Sequence, residues 1–214
     1  ASSLRVLRRY GCVPKMGYNI FITGDIPINS GTSSSSALLM AWINFLITAY
    51  GIDEEVTPEL ISKIGYESEV LEHGEPGGMM DHYSIGVGNI VYIDTKAPFS
   101  YKIIGTHLKG LITGVSGVPK ETIGLIGEIK GNALMAIGRV KQNFPNFDLN
   151  TSETEDVNRY KNCLPDNLVP YFEAALKNFH YTKEALIEFE KPVLDLKKIG
   201  LLMNNHHAVL RDLL

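Results

Sequence analysis

The stretch that most constrains this chain is Pro27 to Ala37, PINSGTSSSSA. It holds one proline, one glycine and six hydroxyl side chains, and it opens directly into the apolar run LLMAWINFLITAY. No charged residue occurs from Ile26 to Ile52. A flexible, hydroxyl-rich turn feeding a helix presents converging backbone N–H groups and the positive end of the helix dipole. That arrangement suits a polyphosphate. Taken alone, the turn is equally a solvated serine linker. A linker, however, does not belong between a strand and a wholly apolar helix, and the flanking sequence predicts both.

Upstream, Tyr18 to Ile26 (YNIFITGDI) is rich in β-formers and ends at Pro27, so it reads as a strand. Downstream, a helix is expected from about Ser34 to Tyr50, central because it is apolar nearly all round, with Gly51 as its stop. The Walker pattern GxxxxGK[ST] is absent and no lysine lies near Gly31. A nucleophile elbow would read Gly31-Thr32-Ser33-Ser34-Ser35, without its final glycine. What remains is a phosphate cradle that is not a P-loop.

Thr57-Pro58-Glu59 has the chemistry of a helix start: a capping hydroxyl, a proline suited to the first turn, and an acid at the positive dipole end. This helix is expected to run to about His73, with Leu60, Ile61, Ile64 and Leu71 as its apolar stripe. Helical spacing sets Glu69 away from that stripe, so alone it reads as a solvated glutamate; beside a phosphate site it would be a magnesium ligand. GEPGGMMD (74–81) is a second tight loop. Its Asp81 is either a turn or cap residue, or a carboxylate that accepts the proton of a phosphoryl-acceptor hydroxyl. Strands are expected at Asn89 to Thr95, Tyr101 to Ile104 and Gly110 to Val115, and a long helix over residues 118–142. Asn143 to Glu155 reads as an exposed insertion. Further helices are expected over Leu168 to Asn178, Tyr181 to Phe189 and Leu194 to Arg211.

Composition narrows the class. The 214 residues are 44% hydrophobic and 21% charged, within the range of globular domains, and the net charge of −4 argues against a general nucleic-acid binder. Cys12 and Cys163 show no paired metal spacing, and a reduced, cytoplasmic protein is the simpler expectation. The apolar part of the uncharged run, Ala37 to Ile43, is far short of a membrane span, and no signal-type apolar region follows Arg5, Arg8 and Arg9. His206-His207 is a poor metal pair, because neighbours on a helix point in different directions. Lys120 reads as a surface lysine near a helix start.

Together the pieces resemble the GHMP kinases, and the galactokinase branch in particular. The resemblance rests on PINSGTSSSSALL, on SEVLEHGEPGGMMDHYS with twelve positions from Glu69 to Asp81, on NIVYIDTK, and on LLMNNHHAVLRDLL at residues 201–214. It implies an α+β, two-domain fold. Residues 1–105 would belong to a β-α-β-α ribosomal-protein-like N-terminal domain, and residues 106–214 to a partial α/β, ferredoxin-like C-terminal domain. It implies that Gly31, Thr32, Ser33, Ser34 and Ser35 wrap the phosphates of ATP, that Ser34 and Glu69 hold Mg²⁺, and that Gly78 and Asp81 meet a small-molecule sugar. Asp81 would be catalytic, with C1 of galactose as the hydroxyl phosphorylated.

The departures are Thr32 in place of a leucine and His82 in place of a glutamine. The family's N-terminal sugar-binding motif and C-terminal Gly-rich motif do not occur in the 214 residues, so the chain is expected to be a central portion, inactive by itself. Residues 110–130 resemble the mevalonate-kinase side of the family. A mevalonate-type kinase, or a catalytically silent sugar or nucleotide sensor, are therefore the alternative readings.

Overall fold

The computed structural model describes residues 1–28, 30–106, 108–114, 117 and 123–214. The chain divides into two units, Ala1–Ile123 and Gly124–Leu214.

In the first unit, α1 (Ser2–Arg8), α2 (Ser34–Tyr50), α3 (Pro58–Glu69) and α4 (Met80–Val87) precede a hairpin of β1 (Ile90–Asp94) and β2 (Ser100–Ile104). The core joins Val6, Leu7, Tyr10 and Cys12 to Ile43, Leu46 and Ile47 of α2 and to Leu60 and Ile64 of α3. The ends of α2 and α3 are those expected. Gly51 leaves α2 at φ 76°, and Thr57 Oγ1 accepts from Leu60 N at 3.1 Å, with Pro58 opening α3. The strands pair antiparallel from Ile90↔Ile104 to Asp94↔Ser100. The hairpin is anchored by Tyr83 of α4, whose buried ring lies 4.9 Å from Phe99 and 5.6 Å from Tyr101.

α3 has a second buried face, made of small side chains. Ser62, Gly65 and Ser68 are buried along it. A Cβ on Gly65 would run into Met40 Sδ of α2 and come within 3.1 Å of His82 Cδ2 of α4. A Cβ on Gly86 of α4 would strike Ser62 Oγ and approach Met40 Cε at 2.9 Å. Three helices thus meet at close range because these positions lack bulk. Leu71, assigned to the apolar stripe, is instead 58% exposed in the short 3₁₀ turn Leu71–His73 that follows α3.

No strand forms over Tyr18 to Ile26. A strand needs a hydrogen-bonding neighbour, and among the described residues the two strands of the hairpin pair with each other alone. Its Tyr18 ring packs edge-on against Phe45 and Tyr50 of α2, and the residues beyond it are exposed, Phe21 at 94%. Residues 110–114 are likewise not a strand, and Val115 and Lys120 lie outside the described residues.

The second unit is built, among the described residues, from helices and short 3₁₀ turns. They include α5 (Ile123–Asn143), α6 (Val157–Tyr160), α7 (Val169–Phe189) and α8 (Leu196–Leu213). α7 is continuous where two helices were expected, since nothing between Asn178 and Tyr181 breaks it. The polar stretch Asn143 to Glu155 is not a free insertion. Phe147 is buried, and its ring packs 5.1 Å from Tyr160 and 5.7 Å from Phe172, while Phe144 lies 5.0 Å from Tyr160. Two aromatic side chains outweigh the polar composition around them. Asp195 caps α8 by accepting from Lys197 N and Lys198 N.

Candidate active site

The serine turn leads into α2 through two left-handed residues, Gly31 at φ 79° and Ser33 at φ 55°. Glycine adopts this conformation freely; a serine there is uncommon and marks a specified turn. The loop closes on itself, because Ser30 Oγ donates to Pro27 O at 2.8 Å and lies 3.0 Å from Thr32 Oγ1. Ser33 occupies the N-cap position, yet no side chain caps the helix. The first-turn N–H groups of α2 are therefore not taken up by a capping side chain, as an anion site requires.

Glu69, the last residue of α3, does not face solvent as its spacing suggested. Its Oε2 accepts from Ser36 Oγ at 2.6 Å and lies 2.8 Å from Nε2 of His82. Ser35, exposed beside it, also helps to keep this carboxyl low. The His82 bond above all, with the serine hydroxyls, holds the Glu69 carboxyl down at about 2, against the opposing effect of burial. The group is thus a carboxylate at any physiological pH, fixed against the start of α2.

Of the predicted residues, Glu69 is held at the start of α2, where Ser35 helps to keep its carboxyl low. Ser34, half-buried at the first position of α2, was expected to share a metal with Glu69; the hydroxyl that hydrogen-bonds to the carboxylate belongs to Ser36. Gly31 and Thr32 are exposed on the loop. Asp81 is half-buried in the first turn of α4, where a negative charge suits the dipole, and it sits one residue before His82. Gly78 is exposed, and a Cβ there would meet nothing within 4 Å. His206 is partly buried in α8, which holds its imidazole below the ordinary value. Among the described residues no group of three His, Cys, Asp or Glu side chains is placed to hold a metal, and no helix is long and apolar enough to cross a membrane. Clefts of about 370 and 550 Å³ are lined by residues of the second unit.

Two site residues were missed in the sequence, Ser36 and His82. A signal for Ser36 was present: positions 36, 40, 43 and 47 share one face of α2, and Met40, Ile43 and Ile47 are its buried residues. His82 is 2% exposed, and nothing in its local sequence separates a buried histidine from a surface one.

Residues 2–89 match the GHMP kinases N terminal domain. Relatives match across most of the chain. A mevalonate kinase of Thermococcus sibiricus is 24% identical over 195 residues, covering 91% of this chain and 48% of the relative. A galactokinase of Limosilactobacillus reuteri is 26% identical over 214 residues, covering 96% and 53%. A galactokinase of Streptococcus suis is 33% identical over 108 residues, covering 49% and 27%. The chain spans about half the length of the longer-matching relatives.

Proposed function

We propose that the protein containing this chain is an ATP-dependent small-molecule kinase that phosphorylates a sugar hydroxyl, with C1 of galactose as the first candidate. The observation that carries the reading is the ionised Glu69 carboxylate held by the Ser36 hydroxyl and His82 at the uncapped start of α2. Residues 1–105 would form part of the nucleotide-binding half, and residues 106–214 part of the second domain.

The donor set fits a hard divalent cation. Mg²⁺ takes oxygen ligands, binds through one or two carboxylates plus phosphate oxygens, and keeps several waters. One ionised glutamate with adjacent hydroxyls supplies this without a cluster of acids. A magnesium ion there would neutralise charge developing on the β- and γ-phosphates. Glu69, with the hydroxyl of Ser34, Ser35 or Ser36, would hold it. The N–H groups opening α2, with Gly31, Thr32 and Ser33 before them, would hold the phosphate oxygens. Asp81 would accept the proton of the acceptor hydroxyl as its oxygen bonds to the γ-phosphorus and the bond to the β–γ bridging oxygen breaks. Gly78 would let the backbone approach the acceptor.

The mevalonate kinases among the relatives keep a second acceptor in view. The test is product formation by the full-length protein with Mg·ATP and a panel of galactose, other hexoses and mevalonate. Sugar 1-phosphate formation supports the first reading, and phosphomevalonate redirects the acceptor. Nucleotide binding without any product would make the protein a sensor.

A further inference from the structure

We propose that His82 is a positioning residue that clamps Glu69, the proposed cation ligand, to the helix that carries Asp81. The inference rests on the kinase reading above. Glu69 ends α3 and Asp81 begins α4, and the connection between them contains Gly74, Pro76, Gly77 and Gly78. A Gly/Pro-rich connection of this kind does little by itself to fix the two carboxylates relative to each other. His82 bridges the gap directly, with Nε2 2.8 Å from Glu69 Oε2 while its own backbone lies next to Asp81.

The ring has a shaped seat. Gly65 leaves space beside Cδ2, since a Cβ there would come within 3.1 Å, and Tyr66 meets the imidazole edge-on at 5.9 Å between centroids. Nδ1 is buried without a hydrogen-bond partner among the described residues. A buried polar atom left unpaired is costly, and an apolar side chain would avoid it. What the imidazole gains in return is the bond to Glu69. Successive residues on a helix differ by about 100° in direction, so a ring pinned towards α3 also fixes the rotation of α4 and with it the face on which Asp81 emerges. Ser36, donating to the same Oε2 from α2, completes a carboxylate held from two helices.

The test uses the full-length protein and the variants His82→Leu, His82→Gln and His82→Asn. Free Mn²⁺ is measured by electron paramagnetic resonance in the presence of a non-hydrolysable ATP analogue, with kcat and KM alongside. Loss of an outer partner of a metal ligand weakens metal binding by roughly 10- to 100-fold. His82→Leu is therefore expected to lose about tenfold or more in Mn²⁺ affinity and in kcat, with a smaller change in KM for the acceptor. Gln places an N–H donor near the position of Nε2 and is expected to recover most of the loss; Asn, one methylene shorter, is not. A folded His82→Leu protein with wild-type Mn²⁺ affinity and kcat overturns the proposal. If His82→Leu does not fold, the Gln and Asn variants decide, and equal Mn²⁺ affinities in those two overturn it. Wild-type protein that binds no Mn²⁺ with the nucleotide overturns the kinase reading and this inference together. Binding by the wild type with no effect of His82→Leu overturns this inference alone.

Discussion

Lowering the pH removes the charge that holds Glu69, and the cost follows from the structure. The carboxyl is depressed from an ordinary 4.5 to about 2, first by His82 and then by the serine hydroxyls. A depressed folded-state value means that the folded protein holds this proton less tightly than the unfolded chain. The stabilisation is therefore fully present above about 4.5 and is lost as pH falls towards 2. The side chain is 23% exposed, so solvent screens it only in part. At roughly 1.4 kcal/mol per unit, the depression corresponds to about 3 kcal/mol near neutrality, and to about half of that near pH 3.

The assay is urea unfolding of wild type and Glu69→Gln at about pH 6.5 and about pH 3. It is followed by the fluorescence of Trp42, the sole tryptophan, which packs against the core of the first unit. Glutamine keeps the shape and an acceptor oxygen but not the charge. Wild type is expected to exceed the variant by about 2–3 kcal/mol near neutrality, and that gap is expected to shrink by about half in acid. A gap of the same size at both pH values refutes the argument, because the stabilisation would then owe nothing to ionisation. A neutral-pH stability equal to wild type refutes it as well.

Other perturbations read the rest of the structure. Gly86→Ala puts a methyl against Ser62 Oγ and Met40 Cε where helices α2, α3 and α4 meet; overpacking of about 1–3 kcal/mol should appear as a lower urea midpoint by Trp42 fluorescence. Gly138→Ala, in α5 with nothing within 4 Å of its would-be Cβ, should instead stabilise the second unit by up to about 1 kcal/mol, measured by circular dichroism. Phe147→Ala should cost about 3–5 kcal/mol in that unit if the stretch from Asn143 is anchored as described, and an effect under about 1 kcal/mol would return it to a free insertion. Asp81→Ala in the full-length protein should lower kcat by about 100-fold or more while leaving Mn²⁺–nucleotide binding intact, as expected for a lost proton acceptor; near-normal turnover removes Asp81 from the mechanism.

Where chain and sequence agree, the signal was local. The start of α3 is set by Thr57 and Pro58, the stop of α2 by Gly51, and the hairpin by β-rich runs on either side of Pro98. Each of these is decided by residues within a few positions of one another. The disagreements concern features that depend on distant partners. Tyr18 to Ile26 has a strand's composition, but composition supplies no neighbouring strand, and without one the backbone groups stay with solvent. Phe144 and Phe147 lie in a polar context and are held by Tyr160 and Phe172, which the local sequence does not place beside them.

Glu69 shows why a site can be named from sequence and still be misplaced. Counting Leu60, Ile61 and Ile64 as the buried side of α3 puts Glu69 in water, and that count treats burial as a property of large apolar residues. A second buried face carries Ser62, Gly65 and Ser68, and along it Gly65 meets Met40 of α2 and His82 of α4 while Ser62 meets Gly86 of α4. Their lack of bulk lets Met40 and His82 come close, and the same approach brings Ser36 and His82 within hydrogen-bond reach of the carboxylate. Small residues at i, i+3 and i+6 on a helix thus form a packing stripe as surely as leucines do, and a charged residue at its margin sits at a three-helix junction. Restoring bulk at Gly65 would therefore act on the carboxylate as well as on the fold, since the added methyl would press on the ring that holds Glu69.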